Sequence, residues 1–496
     1  MLRQIASWCC LILLCASCAT AAPRAGDVEV EYGVVTADDG ARIPYEIGTL
    51  WVPEHRGAAG SRLIGVGFAR LRARTPTAAP PVFWLPGGPG LAVLDAFEGG
   101  NAAARGRLKS WLAFGATADL VVIEQRGYTL RGERLETTRP ARPLDRPRTA
   151  QADAQQAIAL ARQAVAEHAG KDLAGYTIEA CADDVDDLRR ALAYERIALF
   201  GGSFGSQWSL AVMRRHPASV ARAVLSGVEP LDNGYDMPSP LLAALRRIAF
   251  DADRDPALQP YLPPGGVMAA AQAVRDRLAR QPVTVAVPDG AGRVTDVTLG
   301  LEDFQSDLLG RAAEPAQWPA FVLALYHGRY ADWARDVMQE RQARPVKLIG
   351  PLIDTSLGVT PRRLRRLRAD PALAWIGSGG FEPYLAAAEA WPTPDLGDEW
   401  RAMTPSSIPV VMVHGDWDTS TPVENMLDQL PSFTHGRALV VHRGGHDGPF
   451  YLLREQPDAK DAIHRFLRTG SMEGIPAAVT LPAPSFAVPA FAPARP

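Results

Sequence analysis

The feature that most constrains the fold is a short apolar strand pattern that runs directly into a glycine-rich turn and then into a helix pattern. Residues 197–200 are wholly apolar, residues 201–205 read Gly-Gly-Ser-Phe-Gly, and a helical pattern covers residues 207–215. Glycine on both sides of Ser203 allows the strand and the helix to approach closely, so that the serine hydroxyl projects from a sharp turn. The start of the helix offers free N–H groups to a developing oxyanion. The pattern therefore predicts a nucleophilic serine at the carboxyl end of a strand.

Short apolar strand patterns alternate with helix patterns on both sides of this segment. The strand patterns occupy residues 82–85, 120–123, 223–226, 410–413 and 438–441. Alternation of this kind predicts an α/β fold with a mostly parallel sheet that is covered by helices on both faces. Ahead of these patterns, residues 28–71 are rich in β-formers and turn signals, which indicates additional strands.

The chain divides into parts of different character. We assign residues 27–230 and 406–470 to the two parts of one sheet-containing core. Residues 231–405 are mainly helical apart from one hairpin pattern, and they are too long for a structureless loop. They therefore predict a large helical cap domain inserted between two strands of the sheet. Residues 471–496 are rich in Pro and Ala without periodicity, which predicts an irregular tail.

Charge and composition argue against several classes of function. The 52 Lys and Arg residues nearly balance the 55 Asp and Glu residues, and no long basic block occurs, so nothing favours a nucleic-acid partner. The sequence contains no zinc signature, Walker loop or dinucleotide fingerprint, and we predict neither a metal nor a cofactor. Four of the five cysteines lie within the first 18 residues and the fifth is Cys181, which excludes a disulfide framework.

Residues 1–22 have the pattern of a secretory signal peptide. Arg3 supplies a positive charge, the apolar run 8–14 is too short to span a bilayer, and small residues follow. Two processing outcomes stay open: ordinary cleavage after Ala21, or a lipoprotein-type signal that would leave a lipid-anchored Cys18. We therefore predict an exported protein, periplasmic or secreted, whose attachment to a membrane would be through that lipid anchor alone.

A serine nucleophile needs a base, and the base needs an orienting carboxylate. Two strand patterns late in the chain lead into Asp416 and Asp418 and into His446, respectively. Both stretches follow the carboxyl ends of strands, where parallel sheets build their sites. We predict that His446 takes the proton of Ser203 and that Asp418 orients the imidazole. Asp416 is the rival carboxylate, and its position is more typical of a turn residue.

A second glycine-rich turn follows the strand pattern at 82–85. Residues 86–90 read Pro-Gly-Gly-Pro-Gly, and a turn of this composition can direct backbone N–H groups toward a ligand. We predict that Gly88 and Phe204 supply the two N–H groups of an oxyanion hole.

These motifs, in this order, resemble the proline iminopeptidase and tripeptidyl aminopeptidase family of α/β-hydrolases. The family's His-Gly-Gly-Pro-Gly, Asp-Gln-Arg-Gly and Gly-Gly-Ser-Tyr/Trp-Gly motifs correspond to residues 86–90, 124–127 and 201–205. Pro86 and Glu124 depart from the family pattern, and both lie in loops that border the predicted site. The resemblance implies the α/β-hydrolase fold and a serine, aspartate and histidine triad in that chain order.

The resemblance also implies a function, namely the release of single residues or short peptides from a free peptide N-terminus through an acyl-enzyme on Ser203. It implies cap carboxylates that recognise the substrate ammonium group. The candidates are Glu302, Asp303, Glu314, Glu382, Glu389 and Asp395. Two alternatives stay open: an esterase or lactonase that uses the same triad, and an inactive hydrolase-like binding protein. The predicted partner is a peptide or a small ester or amide.

Overall fold

The computed structural model describes residues 22–493 apart from 38–39, 233 and 289–291. The prediction of a signal peptide and of a lipid anchor on Cys18 lies almost wholly outside the described residues. The strands within them are β1 (Val28–Thr36), β2 (Arg42–Pro53), β3 (Leu63–Leu71), β4 (Val82–Leu85), β5 (Leu120–Ile123), β6 (Glu136–Arg139), β7 (Ile197–Gly202), β8 (Val220–Ser226), β9 (Val283–Pro288), β10 (Val294–Leu299), β11 (Arg344–Lys347), β12 (Val410–Gly415), β13 (Gly436–His442) and β14 (Ala478–Thr480).

The helices fall into two groups along the chain. Those that precede the large insertion are α1 (Ala102–Leu112), α2 (Ala150–Glu167), α3 (Ile178–Ala191) and α4 (Phe204–Arg215). The helices after β8 are α5 (Pro238–Ala252), α6 (Gly266–Arg280), α7 (Leu301–Gly310), α8 (Trp318–Tyr326), α9 (Ala331–Glu340), α10 (Ile349–Leu357), α11 (Pro361–Ala369), α12 (Leu373–Ile376), α13 (Glu382–Ala387), α14 (Asp398–Arg401), α15 (Val423–Gln429), α16 (Pro449–Leu452) and α17 (Pro457–Thr469).

Ten strands form one sheet in the order β1-β2-β3-β5-β4-β7-β8-β12-β13-β14. The first three strands pair antiparallel, and β3 is antiparallel to β5. From β5 to β14 all neighbours pair in parallel. The mostly parallel sheet that the sequence predicts is therefore confirmed. The central strands are almost wholly buried, as expected for a parallel sheet covered on both faces.

Helices cover both faces of the sheet, as the alternation of patterns predicts. On one face, α3 and α4 contribute the fully buried Val185, Leu188 and Trp208. On the other face, α1 and α17 contribute the buried Trp111 and Phe466. Each of these helices therefore packs apolar side chains against the strands, and α4 is buried along most of its length.

The chain leaves the sheet after β8 and returns at β12, its neighbour in the sheet. The helices α5 to α9 and the β9–β10 hairpin pack around a separate apolar cluster that includes Leu245, Phe304 and Trp333. We call this helical layer the cap. Because the excursion begins at the carboxyl end of β8, cap residues reach the edge of the sheet where Ser203 lies.

Part of the segment 231–405 packs on the sheet-containing core. β11 pairs antiparallel with β6, and α10 buries Leu352 and Ile353 in the same apolar cluster as α3 and α4. This packing brings Lys347, at the end of β11, and Asp354, on α10, to the core.

The C-terminal tail differs from its sequence prediction. Ala478–Thr480 forms β14 beside β13, and Phe486 is buried in the cap cluster. Tyr261 Oη donates a hydrogen bond to the carbonyl oxygen of Phe491 at 2.9 Å. The prediction of irregular structure is wrong for β14, because pairing with a distant strand supplies order that local composition does not encode.

Candidate active site

Ser203 stands at the junction between β7 and α4. Its φ is positive, at 55°, which is uncommon for a residue with a side chain. A Cβ on Gly201 would lie 2.2 Å from the carbonyl oxygen of Gly205, and a Cβ on Gly205 would lie 2.2 Å from that of Leu85. Only glycine fits at both positions, so the Gly-x-Ser-x-Gly spacing follows from the close approach of backbone segments.

His446 and Asp418 form a hydrogen-bonded pair at the ends of the neighbouring strands. His446 Nδ1 lies 2.8 Å from Asp418 Oδ2, and the Asp418 carboxylate is buried. Asp418 also accepts hydrogen bonds from the N–H groups of Ser420 and Thr421 and from Thr421 Oγ1, at 2.8 to 2.9 Å. Thr421 Oγ1 lies 3.1 Å from His446 Nδ1 as well. These contacts fix the Asp418 carboxylate. Because Asp418 engages Nδ1 of His446, Nε2 is the imidazole nitrogen that is free to act on substrate.

The pKa values of Asp418 and His446 are shifted in opposite directions. Burial opposes ionisation of Asp418, but hydrogen bonds from His414 and His446 hold the pKa of its carboxyl well below the usual range. Burial alone would lower the pKa of His446, whereas the hydrogen bond and charge of Asp418 raise it above 6.5. The result is a permanently charged carboxylate beside an imidazole of increased basicity.

Ser203 and His446 meet at Gly227, which follows β8. A Cβ on Gly227 would lie 3.0 Å from His446 Cε1 and 3.2 Å from the Ser203 nitrogen. The Ser203 hydroxyl donates to Glu229 Oε1 at 3.5 Å, and among the described residues no hydrogen bond joins it to His446 Nε2. The structure thus brings the three residues of the predicted triad together and adds a carboxyl group that the sequence analysis did not name.

A second histidine, His414, and a second aspartate, Asp416, lie near the His446–Asp418 pair but make other contacts. His414 is fully buried; its Nε2 lies 2.7 Å from Thr421 O, and its Nδ1 accepts from the N–H of Val228 at 3.3 Å. Asp416 contacts His442 Nδ1 at 2.8 Å. The structure therefore places Asp418, and not Asp416, on His446, while His414 holds the acid loop against the segment that follows β8.

The second glycine-rich turn lies against Ser203. A Cβ on Gly87 would lie 3.3 Å from Ser203 Cβ, and Gly88 has a positive φ of 123°. Phe204 is the first residue of α4, so its N–H has no intrahelical acceptor. Both predicted oxyanion donors, Gly88 and Phe204, line the cavity beside Ser203.

The turn is held by two contacts on Gly90. Its N–H donates to Gln125 Oε1, and its carbonyl oxygen accepts from Lys347 Nζ at 2.6 Å. Lys347 Nζ also lies 4.6 Å from the centre of the Tyr128 ring. A Cβ on Gly90 would lie 2.7 Å from Ile349 Cγ2. The β11–α10 segment thus packs directly on the loop that carries Gly88.

The Glu-Gln-Arg-Gly motif has a structural explanation. The buried Glu124 accepts hydrogen bonds from Val93 N, Leu94 N, Leu130 N and Thr129 Oγ1 at 2.5 to 2.8 Å. The fully buried Arg126 guanidinium forms a bidentate pair with Asp184 of α3. These residues fix the loops around the turn at 86–90 and do not reach the cavity.

The cavity beside Ser203 has a volume of about 610 Å³ and is lined by Asp153, which pairs with Arg142 and Arg148, and by three further carboxyl groups. They belong to Glu229 after β8, Asp236 before α5 and Asp354 on α10; we call them the acidic cluster. Asp236 accepts from Asn425 Nδ2 at 2.7 Å. Within the described part of the chain, the Asp354 side chain makes no hydrogen bond.

The three carboxyl groups of the acidic cluster have raised pKa values. Burial raises the pKa of Asp354 to about 7 and that of Asp236 to about 6. Burial, reinforced by the charges of Asp236 and Asp354, raises the pKa of Glu229 well above its ordinary value. Carboxyl groups with shifted pKa values that gather in a cleft indicate a candidate functional site.

A second cavity, of about 740 Å³, adjoins the first. Asp236, Gly379 and Ser420 line both cavities, so the two are limbs of one cleft. The second limb is lined largely by apolar side chains and carries Glu302, whose Oε2 is buried without a hydrogen-bond partner.

The cap carboxylates named from the sequence mostly lie elsewhere. Three of them pair with arginines: Asp303 with Arg341, Glu382 with Arg368 and Asp395 with Arg401. Two are exposed, Glu314 and Glu389. Of these six residues, only Glu302 lines the cleft. The sequence analysis missed the acidic cluster, although the position of Glu229 three residues after an apolar strand was a usable signal.

Metal sites and membrane spans are two further kinds of feature to consider in this fold. In the described part of the chain, no group of three or more His, Cys, Asp or Glu side chains is arranged to hold a metal ion. No helix of the described residues combines the length and the apolar character needed to cross a membrane.

Comparison with known proteins identifies the fold. Residues 80–263 match the family model described as alpha/beta hydrolase fold, and residues 381–478 match the model described as TAP-like protein. A search of curated proteins finds no match. The chain therefore has the α/β-hydrolase fold that the sequence resemblance implied, with a TAP-like segment near its C-terminal end.

The solved structures to which the chain is similar include enzymes of different activities. A proline iminopeptidase from Mycobacterium smegmatis is 14% identical, with 84% of this chain and 97% of that chain covered and a TM-score of 0.37. A thermophilic esterase from Thermogutta terrifontis is 15% identical, with 85% and 99% covered and a TM-score of 0.34. A serine hydrolase from Cycloclasticus zankles is 13% identical, with 86% and 99% covered and a TM-score of 0.36.

Proposed function

We propose that this protein is a serine aminopeptidase, which cleaves an amide bond close to a free amino terminus through an acyl-enzyme on Ser203. The observation that carries the proposal is the acidic cluster, because one of its carboxyl oxygens lies 3.5 Å from the Ser203 hydroxyl. The TAP-like match over residues 381–478 agrees with this assignment.

The proposed reaction follows from the positions of the groups. Ser203 Oγ attacks the carbonyl carbon while His446 Nε2 takes the hydroxyl proton, and Asp418 stabilises the resulting imidazolium. The N–H groups of Gly88 and Phe204 bind the oxyanion of the tetrahedral intermediate. Collapse breaks the C–N bond, and His446 delivers its proton to the leaving amine. Water then attacks the acyl ester with His446 again as base, which releases the acid product and restores the Ser203 hydroxyl.

The acidic cluster gives this reaction a requirement for a positive charge on the substrate. A carboxylate at the position of Glu229 repels the negative charge that develops on the tetrahedral intermediate beside Ser203. A substrate ammonium group in the same place cancels that repulsion and neutralises the Glu229 carboxylate, whose pKa is raised by the charges of Asp236 and Asp354. Substrates with a free α-amino group are therefore favoured over blocked ones.

The test compares alanine p-nitroanilide with N-acetyl-alanine p-nitroanilide on the purified protein. Loss of a charged hydrogen bond of about 1.5–3 kcal/mol predicts that acetylation lowers kcat/KM by about 10- to 150-fold. The Ser203→Ala variant, which should also lose labelling by a fluorophosphonate, is the control for contaminating peptidases. Equal rates on the free and the acetylated substrate would contradict the proposal.

An esterase or lactonase on the same three residues is the second candidate. It is favoured by the raised pKa values of the acidic cluster, with Asp354 at about 7. At neutral pH a fraction of these groups is protonated, so an uncharged ester would meet less negative charge. Rapid hydrolysis of p-nitrophenyl butyrate without cleavage of any amide would establish this function in place of the first.

We further propose, from the sequence of residues 1–22, that the enzyme is exported and acts in the periplasm or outside the cell. Mass spectrometry of the mature N-terminus tests the proposal. A chain that begins at an unmodified Ala22 supports ordinary export, a lipidated Cys18 supports membrane anchoring, and retention of Met1 contradicts both.

A further inference from the structure

We propose that three arginines of the cleft, Arg139, Arg142 and Arg148, bind a carboxylate of the substrate about 10 Å from the bond that Ser203 cleaves. We call these three residues the arginine group. The inference rests on the proposed function for the role of Ser203. It adds a requirement for a negative charge on the substrate, which neither the fold nor the TAP-like match supplies.

The arginine group is part of the wall of the cavity beside Ser203. All three residues line that cavity, and Arg148 also lines the second limb of the cleft. The side chains of Arg139, Arg142 and Arg148 are 9%, 18% and 22% exposed. Guanidinium groups held together with so little access to water repel one another unless negative charges lie close to them.

The carboxylates that contact the arginine group do not balance its charge. Asp153 pairs with Arg148 and lies 3.1 Å from Arg142 Nη2. Glu340 Oε1 lies 3.0 Å from Arg139 Nη1 and 3.6 Å from Arg142 Nη1. Among the described residues, two carboxylates therefore face three guanidinium groups. Burial, together with the charges of Arg148 and Arg139, lowers the pKa of Arg142 in spite of the attraction of Asp153.

The arginine group also has hydrogen-bonding capacity to spare. Arg139 donates from its two Nη atoms to Glu340, but its Nε is buried and has no acceptor among the described residues. Arg148 Nη1 donates to the uncharged Ser306 Oγ at 2.8 Å. A buried donor without an acceptor costs free energy, and a carboxylate is the acceptor that matches the guanidinium fork. Both the excess charge and the free donor therefore favour an anionic ligand.

The strand pair β6–β11 gives the distance from the arginine group to the reacting bond. Lys347 lies opposite Glu136, and Arg344 lies opposite Arg139. Three residues of strand separate these two ends, which is about 10 Å at 3.3–3.4 Å per residue. The Lys347 end is fixed on the carbonyl oxygen of Gly90, in the turn that carries the predicted oxyanion donor. Because Lys347 and Arg139 both line the cavity, it extends along the strand pair from that turn to the arginine group.

The two ends of this cavity differ in charge. The acidic cluster reaches the Ser203 hydroxyl through Glu229, whereas the arginine group lies about three extended residues away, at about 3.3–3.6 Å per residue. A short peptide with an acidic group three residues from the cleaved bond matches this distribution. The acidic group is either the C-terminal carboxylate of the peptide or the side chain of an aspartate or glutamate.

The first experiment compares tetraalanine with tetraalanine amide, with the consumption of each peptide followed by mass spectrometry. The free acid should have a kcat/KM about 10- to 150-fold higher, because only it offers a charged acceptor to the arginine group. Dialanine and dialanine amide should differ less, because the terminal carboxylate of dialanine is too close to Ser203 to reach the arginines. Equal rates for the two tetraalanine forms, or an equal preference at both lengths, would overturn the C-terminal carboxylate as the ligand.

A second pair of peptides distinguishes the two sources of the carboxylate. Ala-Ala-Ala-Glu amide and Ala-Ala-Ala-Gln amide have no C-terminal charge and differ in one side-chain carboxylate. Faster cleavage of the Glu peptide supports recognition of an acidic side chain, and a preference seen for tetraalanine alone assigns the site to the peptide C-terminus. The absence of any preference in both pairs would overturn the inference.

The third experiment measures the same tetraalanine ratio in variants. Arg148→Gln should lower the ratio of kcat/KM between acid and amide by about 10-fold, and Arg148→Lys should lower it less. Arg146→Gln is the matched control, since Arg146 lies in the same segment but is exposed and pairs with the exposed Asp145. A loss of folded protein lowers both rates equally and leaves the ratio unchanged. A ratio that Arg148→Gln does not change would overturn the assignment to the arginine group.

Failure of the proposed function can be told apart from failure of this inference. No cleavage of any peptide, with rapid hydrolysis of p-nitrophenyl butyrate, would overturn the aminopeptidase function. The p-nitrophenyl ester of nonanoic acid and the p-nitrophenyl monoester of nonanedioic acid then test the arginine group. A kcat/KM at least 10-fold higher for the anionic ester, lost in Arg148→Gln, supports the inference, and equal or slower hydrolysis of the anionic ester would overturn it.

Discussion

Replacing Asp354 by Asn should stabilise the protein at alkaline pH while it weakens substrate binding. Asp354 lies on α10 between side chains that pack into the core, and within the described residues its carboxyl group has no hydrogen-bond partner. Burial raises the pKa of this carboxyl from an ordinary value of 3.8 to about 7. The folded protein therefore holds a proton that the unfolded chain has released over most of this interval, and stability falls as the pH rises toward 7.

The size of the effect follows from the displaced pKa. One pKa unit corresponds to about 1.4 kcal/mol, so the ionised carboxyl destabilises the fold by about 3 kcal/mol more at pH 8 than at pH 5. Asn has nearly the same shape as Asp and no charge to desolvate, so the variant does not lose stability in this way as the pH rises. With an unfolding entropy of about 2.1 cal/mol/K per residue over roughly 470 residues, 3 kcal/mol corresponds to about 3 °C in Tm.

The assay is differential scanning calorimetry of the wild type and Asp354→Asn at pH 5 and pH 8, without substrate. The Tm of the variant minus that of the wild type should grow by about 3 °C between the two pH values. Glu389→Gln, at an exposed carboxylate, is the matched control and should show no such growth. A difference that stays constant with pH, or that becomes more negative at pH 8, would refute the reasoning about desolvation.

Three other predictions concern catalysis. Ser203→Ala should lower kcat by a factor on the order of 10⁴ or more without lowering Tm, which kinetics and calorimetry together can check. The acid limb of kcat/KM for alanine p-nitroanilide should lie above pH 6.5, because Asp418 raises the pKa of His446 and the imidazole must be neutral to accept a proton; a limb below pH 6 would contradict this. Lys347→Met should lower kcat by about 10-fold with little change in KM, since the turn that carries Gly88 loses its anchor on Gly90 O. Lys347→Arg should restore part of that loss, and a change in KM alone would argue against an anchoring role.

Much of the fold could be predicted from local patterns. Apolar strand segments, glycine turns and amphipathic helices are encoded by neighbouring residues, and their alternation leaves few arrangements other than a covered parallel sheet. The same patterns named Ser203, Asp418 and His446, because each follows the carboxyl end of a strand. The structure brings these three side chains together around Gly227, and their role in catalysis stays a prediction.

The substrate-facing groups could not be predicted in this way. Asp354 sits in a helical segment of the inserted region, with no motif around it, and it lines the cavity beside Ser203 only because α10 packs on the core. The candidates chosen from the sequence, such as Asp303 and Asp395, form ion pairs with Arg341 and Arg401. The local sequence does not distinguish a carboxylate that forms an ion pair with an arginine from one that lines the cleft.

The sequence by itself determined the elements of the sheet, and it named Ser203 as the candidate nucleophile with Asp418 and His446 as its candidate partners. These depend on interactions within a few residues: strand periodicity, the glycines that a tight turn requires, and residues placed just after strand ends. The tertiary structure alone decided which carboxyl groups line the cavity beside Ser203. It also decided that the β11–α10 segment packs on the turn at Gly90 and that the C-terminal tail packs against β13 and the cap. Those features arise from contacts between segments far apart in the chain, where burial and charge are set by the neighbours that folding supplies.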